Sequence, residues 1–177
     1  MLVFVSEVEI QCEFALRAMN QLRRALAAQD RRGVFFSAQA FLGAAGNVSK
    51  LLWPPSPGIP KRGEEIRQCL GVLDSSPVAP RTFRNHFEHF DERLEQWAVT
   101  SKRRNLVDSS ILPPGAIVGI EPEDFMRNLD PTTLSLTFRG DKYELTLVEA
   151  ALTQIHQTAQ AKRYELLVQG GLPKPRS

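Results

Sequence analysis

Residues 30–52 read DRRGVFFSAQAFLGAAGNVSKLL, and this stretch decides the fold. Apolar and small residues recur in it at helical spacing and form one stripe: Phe35, Ala38, Leu42, Ala45, Ser49 and Leu52. Asp30 stands directly before the stripe, where its carboxylate can cap the start of a helix. Small residues between positions 40 and 46 allow a neighbouring helix to approach closely. The stretch therefore predicts a long helix that packs against another.

The preceding residues carry a second helical pattern. Ser6 and Glu9 have the spacing of a capping box, which predicts a helix from Ser6 to about Gln29. Its apolar seam repeats at steps of three and four: Val8, Cys12, Ala15, Met19, Leu22 and Leu26. The short apolar run 1–5 is expected to be a lead-in that packs on this helix. Two long helices joined by a short turn predict an antiparallel hairpin.

Two further helices complete the predicted bundle. Prolines between 54 and 60 end the second helix, and a third is expected from about Arg62 to Leu73. The fourth is expected to start near Arg81 or Thr82. Its apolar stripe is the clearest in the chain: Phe83, Phe87, Phe90, Leu94 and Trp97. Residues 6–104 thus predict an antiparallel four-helix bundle.

The chain changes character after residue 104. Residues 116–120 predict a short buried strand, and segments 134–138 and 143–147 predict a small β-hairpin around an Arg-Gly-Asp-Lys turn. A last helix is expected from roughly Leu147 to Val168, followed by a frayed tail over 169–177. We expect residues 111–168 to pack on the bundle, so that residues 1–177 form a single, mainly α domain.

Composition narrows the class of protein. With 42% hydrophobic and 24% charged residues, the chain has the make-up of an ordinary globular domain. Two cysteines, with no secretory signal or apolar run of membrane-spanning length, predict a cytoplasmic protein without a membrane partner. Pairs of basic residues recur along the chain and suit either solvated helix ends or a phosphate-binding surface.

One segment concentrates residues that can do chemistry. Residues 84–94 read RNHFEHFDERL and contain two of the three histidines in the protein. On a continuous helix, Arg84, Asn85 and His89 lie on the face opposite the apolar stripe, whereas His86 borders that stripe. Arginine supplies a permanently charged fork of donors, and histidine exchanges protons near neutral pH. These residue types suit phosphate binding combined with proton transfer.

A solvated helix face would look similar. Arg84 and Glu88 could form an ion pair four residues apart, and Asn85 could hydrogen-bond His89 at the same spacing. His86 could be a half-buried packing residue. Under this interpretation the segment has no function of its own.

The segment also resembles a known motif. Arg84-Asn85, three residues and then His89 match the R-x4-6-H motif of HEPN domains, and the predicted helices over residues 6–100 resemble the HEPN bundle. The resemblance implies an RNA-binding protein that is a metal-independent endoribonuclease at the interface of a homodimer. It implies that His89 transfers protons, that Arg84 holds the scissile phosphate, and that Asn85 orients them. His86 would have at most an auxiliary role.

Two departures bear on this interpretation. A subgroup of HEPN toxins carries a tyrosine two residues after the motif histidine, where this chain has Asp91. Glu88 and Glu92 add negative charge beside the motif and oppose phosphate binding. The alternative is therefore a non-catalytic helical interaction or regulatory module whose motif face is an assembly surface for a protein partner.

Other chemistries have weaker support. His86 and His89 could bind one metal from the same helix face, with His156 as a third ligand. We nevertheless expect no metal at this site. The glycines at 43 and 46 lie inside a helical pattern and lack the preceding strand that a dinucleotide-binding loop requires. No cofactor is therefore expected.

Overall fold

The computed structural model describes residues 1–56, 58–80 and 89–170. Five α-helices lie in these residues: α1 (Leu2–Ala27), α2 (Arg31–Leu52), α3 (Arg62–Leu70), α4 (Phe90–Thr100) and α5 (Leu145–Gln169). A four-stranded sheet lies between the last two helices: β1 (Ser110–Ile111), β2 (Asn128–Asp130), β3 (Ser135–Phe138) and β4 (Asp141–Glu144). The chain is therefore mainly helical, as the sequence predicts.

The predicted hairpin of α1 and α2 is confirmed. Asp30 caps α2 by accepting a 2.9 Å hydrogen bond from the backbone N–H of Gly33. The predicted capping box is wrong, because α1 already begins at Leu2 and Ser6 lies inside it. Val5, expected in a lead-in, is fully buried in the core. Val5 extends the buried seam of α1 one turn before Val8, so the helix starts earlier than its polar signals indicate.

The long helix that packs on α1 besides α2 is α5. Arg23 near the end of α1 pairs with Glu149 near the start of α5, and Glu9 pairs with Arg163 near its end. These two ion pairs show that α1 and α5 are antiparallel. Buried side chains of α1, α2 and α5 form most of the core. The C-terminal helix was expected as an addition to the bundle but is one of its main members.

The short helix α3 closes one end of this helical core. Its Ile66 and Leu70 are buried, and Gly63 approaches α2 so closely that a Cβ there would lie 2.5 Å from the carbonyl oxygen of Leu52. The helix ends at Leu70, three residues before the predicted Leu73, and the next residue, Gly71, has a left-handed φ of 63°. Glycine adopts this conformation readily, so it terminates the helix.

The fourth helix of the predicted bundle is not confirmed. His89 has non-helical dihedral angles and occupies the N-cap position of α4, so this helix begins at Phe90; the predicted start near Arg81 is not tested. Residues 81–88 lie outside the described residues. No residue of α4 is fully buried. Phe90 and Trp97, expected to face the bundle core, instead contact the sheet and the short 3-10 turn Pro122–Asp124.

The sheet is larger than the predicted hairpin. β1 pairs with β2 in parallel, and the β2–β3 and β3–β4 pairs are antiparallel. Leu129 and Leu136 are opposite each other in β2 and β3, and both join the helical core. The expected buried strand at 116–120 is wrong, because residues 116–119 form exposed bends. The second strand of the hairpin ends at Glu144, since α5 begins at Leu145.

None of the described helices combines the length and the apolar character that crossing a membrane would require. Most of the predicted tail, residues 171–177, lies outside the described residues.

Candidate functional site around His89

His89 stands at the start of α4, in the one part of the predicted motif that the structure describes. Its side chain is 51% exposed, and its Nδ1 lies 3.0 Å from Oε1 of Glu92, three residues further along. An ionised carboxylate only accepts hydrogen bonds, so in neutral His89 the proton sits on Nδ1. The Nε2 atom then keeps a free lone pair and makes no hydrogen bond to a described residue. This half-exposed ring can accept a proton at Nε2.

The other motif residues, Arg84, Asn85 and His86, lie outside the described residues, as does Glu88. The prediction that these residues share an outward helix face with His89 therefore stays a prediction. That prediction assumed a continuous helix through residues 84–94, but the backbone at His89 is not helical. A constant angle per residue cannot be carried across that position.

The guanidinium of Arg127 contacts Phe90 and holds the start of α4 in place. The ring of Phe90 lies 4.9 Å from Cζ of Arg127 and packs edge-on against Phe138 of β3, with centroids 6.1 Å apart. The same Cζ lies 6.0 Å from the ring centroid of Phe35 on α2. Arg127 thus links the helical core, the sheet and the residue next to His89.

Asp108 fixes the position of that guanidinium. Nε of Arg127 donates to one carboxylate oxygen of Asp108 at 2.7 Å, and Nη2 donates to the other. Partial burial of Asp108 favours protonation, but the hydrogen bonds and charge of Arg127, together with hydrogen bonds from Ser109, outweigh it and lower the pKa of the carboxyl. Two parallel hydrogen bonds hold the planar fork in one orientation between the rings.

Further along α4, polar contacts continue the attachment to the sheet region. Trp97 donates from Nε1 to the carbonyl of Asn105 at 3.0 Å and to Asp124 at 3.2 Å. Arg139, after β3, donates to the carbonyl oxygen of Arg93 at 2.8 Å. Burial and the nearby charge of Arg93 lower the pKa of Arg139. These contacts fix α4 while leaving His89 accessible at its first turn.

Sequence reasoning missed Arg127, Asp108 and Phe35 as supports of the site. Arg127 meets Asp108 across 19 positions and Phe35 across a much longer separation. No local periodicity links such residues. Only the residue types gave a signal for this site: an arginine, aromatic rings and acids can form such a cluster once the chain is folded.

A metal centre has no support in the described part of the chain. No group of three or more histidine, cysteine, aspartate or glutamate residues there could hold an ion. His86, the proposed companion of His89, is not among these residues. Cys12 is fully buried in α1, and burial raises the pKa of its thiol to about 12. This thiol therefore stays protonated at neutral pH and is a core residue.

Comparisons with protein-family models, curated proteins and solved structures gave no match to this chain.

Proposed function

We propose that the chain is a HEPN-like RNA-binding protein and a metal-independent endoribonuclease, with a composite site at the interface of a homodimer. The observation that carries the proposal is the exposed His89 ring, which Glu92 holds through Nδ1 while Nε2 contacts no polar group of the described residues. A carboxylate paired in this way holds an imidazole in one tautomer and one orientation. The R-x4-H motif supplies the second group, Arg84.

Each motif residue has a defined task in this proposal. Nε2 of His89 removes the proton from the ribose 2′-hydroxyl, or protonates the leaving 5′-oxygen. Arg84 binds the phosphate oxygens, on which negative charge develops as the 2′-oxygen attacks. Asn85 orients these two groups, and His86 is auxiliary. Because the nucleophile belongs to the RNA, neither a metal nor a cofactor takes part, and DNA is not cut.

Two copies complete the site. A twofold interface brings the same face of each protomer together, so each copy would bring its own Arg84 and His89 to the axis. The start of α4 is accessible, as such an interface requires. Solution mass measured at micromolar concentration tests this step. A dimer is expected, whereas a strict monomer would leave the ribonuclease without its composite site.

A specific observation favours the alternative of a non-catalytic assembly module. Asp91 and Glu92 are exposed beside His89, and Glu92 is its hydrogen-bond partner. Their negative charge opposes the approach of a phosphate and suits a basic surface on a partner protein. Under this alternative, the same face binds a protein and RNA is left intact.

The two functions differ in their dependence on the ribose 2′-hydroxyl. We expect the protein to cut single-stranded RNA in the presence of EDTA and to leave the 2′-O-methyl form of the same strand intact. Products ending in a 2′,3′-cyclic phosphate would identify the internal nucleophile. Cleavage of both strands would contradict the mechanism, and cleavage of neither would favour the assembly module.

A further inference from the structure

The turn between α1 and α2 carries a group of exposed side chains that the proposed site does not use. Arg24, Arg31 and Arg32 are exposed, and Phe36 is 71% exposed one turn after Arg32. We call these four residues the basic tip. Within the described part of the chain, none of the three arginines makes a side-chain hydrogen bond or ion pair. Their charges are available to another molecule.

These four residues lie close together because the turn is tight. Asp30 donates its backbone N–H to the carbonyl of Ala25, and a Cβ on Gly33 would lie 3.2 Å from that of Ala25. Arg24 directly precedes Ala25, and Arg32 directly precedes Gly33. The end of α1 and the start of α2 therefore present their arginines on one end of the molecule.

Arg24 lies in the last turn of α1, where a cation stabilises the helix, but helix stability does not explain Arg31 and Arg32. Arg31 and Arg32 occupy the first turn of α2, which contains no acidic residue. The positive end of the helix dipole lies there, so each cation costs about 0.3–1 kcal/mol at low salt. The neighbouring Arg23, in contrast, is neutralised by two hydrogen bonds to Glu149. Three arginines against the single carboxylate of Asp30 at the N-cap leave a net positive charge, which favours an anionic partner.

The basic tip and His89 lie at the same end of the fold. Phe35, one turn after Arg31, and Phe90, directly after His89, both contact the guanidinium of Arg127. A helix rises about 1.5 Å per residue, so Arg31 is only about 6 Å along α2 from Phe35. The described acids beside His89, Asp91 and Glu92, repel phosphates, and the basic tip adds positive charge at the same end of the fold.

We propose that the basic tip binds the phosphate backbone of single-stranded RNA, with a base stacked on Phe36, and holds the strand next to His89. The choice of RNA rests on the proposed function. Arginines along a strand with an exposed aromatic ring are the usual elements of single-strand binding. A membrane is less suited, because the tip offers one aromatic ring instead of an extended apolar face.

The test is equilibrium binding of a fluorescein-labelled 2′-O-methyl single strand, which the proposed reaction cannot cut. Fluorescence anisotropy is recorded over a range of salt concentrations. Arg31→Ala with Arg32→Ala is expected to weaken binding at least about tenfold at low salt. The slope of log affinity against log salt should fall by about 0.7 for each phosphate that the variant no longer neutralises. Thermal melts check that each variant is folded.

Matched controls separate the tip from general charge and apolar effects. Arg17→Ala with Lys162→Ala removes the same charge from exposed ion pairs elsewhere and should change affinity less than about twofold. Phe36→Ala should weaken binding about tenfold without changing the salt slope. Phe14→Ala removes another exposed ring, 53% exposed on α1, and should have little effect.

The outcomes distinguish this inference from the proposed function. Tip-dependent binding of the strand by a protein that cuts no RNA would support the inference and overturn the ribonuclease. RNA cleavage by the wild type, together with unchanged RNA binding by the tip variants, would support the ribonuclease and overturn the inference. Equal losses of affinity in the tip and control variants would overturn the inference. So would tip-dependent binding to phosphatidylserine vesicles without binding to the strand.

Discussion

The guanidinium of Arg127 lies 4.9 Å from the centroid of the Phe90 ring, and Phe90 directly follows His89. Asp108 holds the guanidinium through two hydrogen bonds, and Phe35 lies on the same cation at 6.0 Å. The start of α4 is therefore positioned by residues from α2, the loop before β1 and the loop before β2. The residue closest to the proposed chemistry depends on contacts that are distant in sequence.

Arg127→Ala is expected to destabilise the fold by about 2 kcal/mol. It removes charged hydrogen bonds and a cation–π contact and leaves Asp108 without its partner. Arg127→Lys keeps the charge but not the two-pronged geometry, so an intermediate loss of stability is expected. Urea denaturation measures both, with Arg17→Ala as the control because the Arg17–Glu13 pair is exposed. A destabilisation no larger than that of the control would show that Arg127 is not a structural link.

Phe35 and Phe36 are adjacent, but truncating them should change the stability of the fold by very different amounts. Phe35 is 8% exposed and packs in the core, whereas Phe36 is 71% exposed. Phe35→Ala should lower the free energy of unfolding by about 3–5 kcal/mol, because it removes a ring and leaves a cavity. Phe36→Ala should stay within about 0.5 kcal/mol. Equal effects of the two substitutions in urea denaturation would contradict the orientation of α2.

Stability should fall in acid because two carboxyls have lowered pKa values. Arg127 lowers the pKa of Asp108 against the effect of its burial, and hydrogen bonds from Thr132 and Thr133 lower that of Asp130. The folded state then binds fewer protons than the unfolded state just below the ordinary aspartate pKa of about 3.9. Their stabilisation is present above that pH and is lost as pH falls through the folded pKa values.

The measurement is the free energy of unfolding from urea titrations between about pH 6 and pH 2. Asp108→Asn and Asp130→Asn should each flatten the fall below about pH 4. Asp74→Asn is a suitable control, because its side chain is 79% exposed. If stability falls as steeply with pH in Asp108→Asn and Asp130→Asn as in the wild type, other groups cause the acid destabilisation.

The two candidate helix caps make a further contrast. Asp30→Ala should cost about 1 kcal/mol, since the carboxylate accepts the hydrogen bond of Gly33 at the start of α2. Ser6→Ala should cost almost nothing as a cap, because Ser6 lies inside α1. Chemical denaturation of both variants tests where α1 begins. A destabilisation of about 1 kcal/mol for Ser6→Ala would restore the predicted start.

The sequence predicts elements with strong local signals well. The apolar stripe from Phe35 to Leu52 and the Asp30 cap predict α2 nearly residue for residue. The role of α5 could not be predicted, because nothing local indicates that Glu149 and Arg163 pair with α1. The stripe of Phe90 and Trp97 correctly indicates an amphipathic helix, but periodicity does not say which surface covers it.

The sheet shows the same limit. Strands of two to four residues are too short for a clear alternation, and β1 meets β2 only through a parallel pairing across 18 positions. At the candidate site, residue chemistry drew attention to His89, and its pairing with Glu92 is local enough to be found from spacing. The packing of Phe90 on Arg127 depends on the folded arrangement and has no local pattern.

The most direct measurement is cleavage of single-stranded RNA in EDTA by the wild type and by two histidine variants. His89→Ala should abolish cleavage, whereas His156→Ala, which removes a histidine from the middle of α5, should cut as the wild type does. Arg84→Ala should fail in the same way as His89→Ala while keeping the thermal stability of the wild type. Cleavage by His89→Ala at the wild-type rate would contradict the account, because the activity would then come from another site.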